Sequence, residues 1–235
     1  MMKKTLLALC AAVALSAPAL AQNNTSTQAI EISRLRGINA YAGFDVTVTQ
    51  GTSSKAVITV DGRLKPYLRA TVEDGVLSLG FSNLPRDLQR IKERKAEVTV
   101  GSLEKLDAHS GAKITGSGSF TANECEIDVH SGALVTGIDI TAKEVEIDVH
   151  SGARATVTGS TDKLEASTHS GASCDLYGLK ALDATVSASS GSSLGCWATN
   201  TLKVQTSSGA SVRYNGNPTN LYTNNSSGGS TRRAK

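Results

Sequence analysis

The chain has 235 residues, of which 39% are hydrophobic, 19% charged and 4% aromatic, which suits one sizeable core or two small ones and excludes collagen-like or acidic disordered polymers. Twenty-four Lys and Arg against 21 Asp and Glu leave +3; without Lys3 and Lys4, which fall in an N-terminal leader, the balance is 22 minus 21, or +1. So weak a charge selects neither nucleic acid nor an anionic membrane as partner.

Residues 1–4 are a basic start, 5–15 an apolar run, and Ala19-Leu20-Ala21 a small-x-small site, which together read as a secretory signal peptide over residues 1–21 with cleavage after Ala21. Cys10 follows Leu9 rather than a small residue, which argues against a lipid-anchored start. No later stretch approaches the ~20 apolar residues of a membrane helix, and no long series of amphipathic strands suggests a membrane barrel. The expectation is a soluble exported chain of the periplasm or cell surface, without a membrane span.

Glycine is abundant (22) and proline scarce (4), and Ser, Thr, Ala and Val fill much of the remainder, which favours short strands and tight turns over helices. Residues 22–100 carry strand signals at 44–49, 56–60, 76–79 and 97–100, with turns at Gln50-Gly51, Asp61-Gly62 and Asp74-Gly75. The polar, mixed-charge stretch 84–95 reads as a loop or a single helical excursion. This part is expected to be an irregular N-terminal β cap on the rest of the chain.

Residues 101–215 repeat themselves. His-Ser-Gly-Ala occurs at 109–112, 130–133, 150–153 and 169–172, with degenerate copies at 189–192 and 207–210 and a frayed one at 226–229. The glycines Gly111, Gly132, Gly152, Gly171, Gly191, Gly209 and Gly228 are 21, 20, 19, 20, 18 and 19 residues apart. Before each glycine, apolar or small residues alternate with polar ones, as in Cys125, Ile127 and Val129 or Val145, Ile147 and Val149, the period-two pattern of a strand with one buried face. After the glycine the alternation resumes with pairs such as Ala133 and Val135, so a second strand continues beyond a Ser-Gly bend. Twenty residues at ~3.3 Å each give a coil of roughly 65 Å perimeter. The six-residue period of left-handed hexapeptide helices is absent, and the pattern predicts an all-β fold, a right-handed parallel β-helix (solenoid) of ~20-residue rungs with the glycines at one corner. Residues 216–235, rich in Asn, Ser and Gly, are expected to form a fraying last coil and tail.

Gly37-Ile38-Asn39, then Gly43-Phe44-Asp45-Val46-Thr47-Val48-Thr49-Gln50-Gly51, then Asp74-Gly75-Val76-Leu77 and the repeats after them resemble, over about residues 30–215, the auto-transporter adhesins of the head GIN domain type. These are exported proteins of Gram-negative bacteria. The resemblance implies a β-helix related in shape to pectin lyases, no assigned catalytic residue, and a role in adhesion at the cell envelope.

All four histidines, His109, His130, His150 and His169, stand two residues before a repeat glycine. By the alternation they point outward and stack ~4.8 Å apart, with Asp107, Asp128 and Asp148 two residues earlier on the same face. This ladder is the candidate binding surface, and three readings of it stay open. Repeats duplicate surface residues, so the plain reading is a stack whose aspartates offset any histidine charge. Imidazole beside carboxylate also suits zinc, copper or nickel, and a column of imidazoles repels itself when protonated near pH 6. No cofactor motif is present, since phosphate loops, dinucleotide fingerprints and a Gly-x-Ser-x-Gly elbow are all missing.

Past the leader, Cys125, Cys174 and Cys196 take inward positions. Cys174 and Cys196 on adjacent rungs would lie about 8 Å apart, beyond the ~7 Å reach of a disulfide. Buried free thiols are expected, with a Cys174–Cys196 bridge only where a rung is irregular. Glu124, Glu126 and Asp128, like Glu144, Glu146 and Asp148, read as the wet face of neighbouring strands, relieved by Lys105, Lys143 or Lys163, rather than as a catalytic pair. The expectation is a non-enzymatic exported envelope protein, adhesive or structural, that presents polar ladders to an envelope or host-surface ligand such as a glycan. A carbohydrate-binding or polysaccharide-degrading β-helix is the alternative. Open end coils also invite edge pairing, hence a homo-oligomer.

Overall fold

The computed structural model describes residues 25–32 and 34–234. The expected leader, with its cleavage after Ala21 and its Cys10, lies outside the described residues. The described chain is nearly all β, with stacked parallel strands forming a solenoid of about six turns. Its one helical feature is a 3-10 turn at Lys65–Tyr67. No described helix is long and apolar enough to cross a membrane, and residues 84–93 of the mixed-charge stretch form turns and irregular backbone.

The N-terminal strands are β1 (Thr25–Ile32), β2 (Gly37–Ala40), β3 (Asp45–Gln50), β4 (Ser54–Asp61), β5 (Leu68–Glu73), β6 (Val76–Phe81) and β7 (Arg94–Val100). The repeats supply β8 (Lys105–Ala108), β9 (Lys113–Ser117), β10 (Ser119–Thr121), β11 (Glu124–Val129), β12 (Leu134–His150), β13 (Arg154–His169), β14 (Ser173–Ala188), β15 (Ser193–Thr206), β16 (Ser211–Gly216), β17 (Asn220–Asn225) and β18 (Ser230–Arg233).

One coil shows how the chain winds. Strand β12 pairs in parallel with β9 over its first residues, with β10 over Asp139 to Thr141, and with β11 over Glu144 to Val149, so a coil has three sides. Inward residues of successive coils lie directly over one another: Leu106, Ile127, Ile147, Ala166, Val186 and Val204 form one such file, each at most 2% exposed. Alternation in sequence thus becomes an apolar interior running the length of the molecule.

The corner is a tight turn with two left-handed residues. At His130-Ser131-Gly132-Ala133, φ is +53° at Ser131 and +72° at Gly132, and the Ala133 amide donates to the His130 carbonyl at 3.2 Å, the geometry of a type I′ turn. Each corner glycine also donates its N–H to the serine carbonyl of the next coil, as Gly132 does to Ser151 at 3.1 Å. The corner is therefore hydrogen-bonded both within its coil and along the stack, which keeps like residues in register.

The cap is inserted into the stack rather than placed before it. Strand β2 lies between β6 and β8, and β3 between β7 and β9, all parallel. The chain therefore lays down a coil at 37–50, moves outward to build β4 to β7, and returns at β8. Antiparallel pairings of β5 with β6 and of β4 with both β1 and β7 then close that end. At the other end β17 and β18 add a last coil in parallel on β15 and β16. Its Leu221 and Tyr222 are exposed.

Cys125, Cys174 and Cys196 are buried free thiols. Strand β14 is irregular in register against β15, yet Cys174 sits opposite Leu194 and Cys196 opposite Tyr214. Burial pushes the Cys125 and Cys196 thiols up to about 12 and Cys174 upward as well, so none is a thiolate at neutral pH.

Candidate functional site: an outward ring ladder

The corner turn fixes where the histidines go. Each is the first residue of its turn, and successive rings stack with centroids 4.9, 4.9 and 4.8 Å apart and planes within 5° along His109, His130, His150 and His169. Every Nδ1 lies within 3.0 to 3.3 Å of the hydroxyl of the adjoining serine, Ser110, Ser131, Ser151 or Ser170. A serine in the left-handed region is uncommon, and here it places a hydroxyl that orients the ring. Where that hydroxyl donates to Nδ1, the ring proton sits on Nε2.

Nε2 faces the carboxylate of the coil before: His130 to Asp107 at 3.9 Å and His169 to Asp148 at 3.7 Å. The facing Oδ1 atoms of Asp107 and Asp148 are shielded from solvent and have no hydrogen-bond partner. Asp128 occupies the same file, in register with both. Among the described residues no group of three or more His, Cys, Asp or Glu converges as a metal site requires. Parallel stacking spreads the imidazoles along the axis instead of around a point.

The ladder has a fifth ring that the repeat pattern does not reveal. Tyr41 stacks on His109 at 5.0 Å and 5°. Ala40-Tyr41-Ala42-Gly43 is a disguised corner, with φ +56° at Ala42 and +72° at Gly43, and the Gly43 amide donates to Ser110 at 3.1 Å. The signal was the Ala-x-x-Gly frame shared with Ala108-His109-Ser110-Gly111, hidden because it lies 68 residues before Gly111 and lacks His and Ser. Beyond Tyr41 the ring covers Gly80, where a Cβ would fall 1.9 Å from the ring, so glycine is required for the tyrosine to lie flat.

Charges beside the ladder oppose one another. Lys105 bonds Glu126 at 2.8 Å, and Lys163 pairs with Glu144, which relieves part of the acidic face. Burial, then the nearby Glu126 carboxylate, raises Asp128 to about 6. Burial, then neighbouring imidazoles against the attraction of Asp107 or Asp148, lowers His109 and His150 below the ordinary imidazole range.

Each shift ties stability to pH with a definite sign. The lowered histidines favour the fold above their unfolded value of ~6.5 and lose that contribution as pH falls toward their folded values. Asp128, raised from 3.8, favours the fold below its unfolded value and loses that contribution as pH rises through about 6. The two effects oppose each other between about pH 6.5 and 4. Asp128→Asn removes one of them: the variant should gain about 1 kcal/mol at pH 7.5, the raised value being discounted because the group is half exposed, and its urea midpoint should fall more steeply than wild type between pH 6.5 and 5. Parallel midpoint-against-pH curves for the two proteins would refute this account.

Residues 34–218 match the family described as "Putative auto-transporter adhesin, head GIN domain". The chain belongs to this family. Its head GIN solenoid is similar to solved structures described as a "putative adhesin" from Bacteroides fragilis (TM-score 0.83, 16% identity, 91% of this chain and 98% of that one) and a "putative adhesin" from Parabacteroides merdae (0.68, 17%, 91% and 97%). A third, described as a "putative lipid binding protein" from Parabacteroides distasonis, aligns with TM-score 0.72 at 17% identity over 91% of this chain and 98% of that one. At these identities the likeness is one of fold. No curated protein matches the sequence.

Proposed function

We propose that this chain is an exported, non-enzymatic adhesion module of the cell envelope that presents polar and ring ladders on a rigid solenoid to an envelope or host-surface ligand. The carrying observation is the parallel stack from Tyr41 to His169, five rings at 4.8 to 5.0 Å on one outward face. Many equal, weak contacts on a stiff support give avidity without a single deep pocket. Membership of the head GIN family and the basic, apolar and small-residue segments of the leader support the same reading. The alternative of a polysaccharide-degrading site gains little, because Glu126 and Glu144 are held by Lys105 and Lys163 rather than poised for proton transfer.

The mature chain should adhere saturably to intact cells while releasing neither reducing sugar nor unsaturated product from polysaccharides; product release would overturn the non-enzymatic reading. Protease shaving of intact expressing cells separates the surface from the periplasm. Replacing His130 and His150 together by serine, the residue that occupies this file at Ser189, should weaken adherence about tenfold with an unchanged β spectrum.

A further inference from the structure

The ring ladder stops abruptly. After His169 the same file continues as Ser189, Ser207 and Ser226, placed by the same backbone bond to the preceding coil: Ser189 N to Thr168 O at 2.9 Å corresponds to His130 N to Ala108 O at 2.9 Å. The file two residues earlier changes one coil sooner, from Asp107, Asp128 and Asp148 to Ser167 on the coil of His169 itself, then Ser187, Gln205 and Asn224. Carboxylates and then, one coil later, large rings thus give way to small neutral groups. What they leave is a groove of about 360 Å³ bordered by His169, Ser187, Ser189, Gln205, Ser207 and Asn224.

One wall of this groove is a ring held ready. One face of His169 is covered by His150 at 4.8 Å, its plane is set by contacts to Ser170 at 3.3 Å and Asp148 at 3.7 Å, and the next residue in its file is only a serine. The floor carries hydroxyls and carboxamides, which both donate and accept, and no charged side chain lines the groove. A flat apolar face against the imidazole, with a rim of groups that donate and accept equally, describes a pyranose ring. The uncharged lining and the neighbouring Asp148 carboxylate disfavour acidic sugars.

We infer that the groove beyond His169 binds a neutral hexopyranose unit of a glycan, which continues the ring stack at the level of Ser189 and hydrogen-bonds Ser187, Gln205, Ser207 and Asn224. The inference rests on the adhesive reading and names its ligand class. The volume falls within the range of small-molecule sites, and an open groove with one platform points to millimolar affinity per sugar.

The test uses cellobiose, maltose and lactose with glucuronic acid as the acidic counterpart, titrated into the mature chain while the His169 ring resonances are followed by NMR. Cell adherence is measured in parallel. At least one neutral disaccharide should bind at millimolar concentration and shift His169 before His109. His169→Ala should weaken binding at least tenfold. Ser189→His restores the His-Ser-Gly corner found at four other coils, so it should fold, extend the ladder into the groove and abolish binding. Sugar binding unchanged in Ser189→His, no neutral sugar bound at about 20 mM, or tighter binding of glucuronic acid would each overturn the assignment. If Ser189→His loses the sugar but wild type adheres to no cell, the groove stands and the adhesive reading falls. If Ser189→His keeps full adherence and the sugar too, the reverse holds.

Discussion

Replacing Gly159 by alanine should cost about 3 kcal/mol or more, whereas the same change at Gly152 should cost only about 1 kcal/mol. Both residues have positive φ, +120° and +72°, so both replacements force a side chain into a disfavoured backbone region. They differ in what the new Cβ meets. At Gly152, on the outside of the corner, nothing lies within 4 Å; at Gly159 the Ile140 carbonyl oxygen would be 2.0 Å away, with that residue's backbone carbon and nitrogen at 2.7 and 2.8 Å. Those backbone atoms belong to the adjacent coil and cannot rotate aside as a side chain could. For a chain of this size 1 kcal/mol moves the melting temperature by roughly 2–4 °C, so thermal unfolding should show a loss of about 10 °C for Gly159→Ala against about 3 °C for Gly152→Ala. Equal losses would mean that backbone conformation alone, and not the approach of neighbouring coils, sets the requirement.

Phe120→Ala should destabilise by about 3–5 kcal/mol, the cost of a large cavity in a packed interior. Phe120 is fully buried on the short strand β10, opposite Ile140 of the next coil, and with Phe44 is one of the two largest fully buried side chains among the described residues. Phe120→Leu keeps most of the volume and should cost about 1 kcal/mol. In a stack where each coil touches chiefly its neighbours, the damage should stay local. Hydrogen exchange should show lost protection in β10 and the facing part of β12 while β15 and β16 keep theirs; uniform loss across all coils would contradict a nearest-neighbour description.

The winding of the chain was legible because three local signals agree: period-two alternation, a Ser-Gly pair able to turn sharply, and near-constant spacing between copies. Each is written within about twenty residues, so no long-range knowledge is needed to stack them. The cap was less legible. Nothing local in 37–50 shows that β2 and β3 pair with strands on both sides, one from β6 and β7 and one from β8 and β9. Tyr41 was missed for the same reason, since its partner His109 is distant in sequence and its corner has lost the serine that marks the others. Gly159 likewise lies inside β13 at a position that has no repeat signature, and its need for glycine arises from a neighbouring coil's carbonyl. The rise of Asp128 came from burial beside Glu126, which spacing alone does not disclose. The change of residue at Ser189 was visible in the sequence as a degenerate copy, but its consequence, an empty place beside a ring, depends on the rings being parallel.

Reversed strands seal the cap end of the stack, while each corner from Gly111 to Gly209 offers the next the same glycine donor to a serine acceptor. A whole coil could therefore be removed or duplicated between Gly132 and Gly171, and the units on either side would still meet with matched hydrogen-bonding groups. The molecule's stature would change by ~4.8 Å per unit without any redesign of the finished end. Such an architecture lets descent lengthen or shorten the solenoid in integral steps.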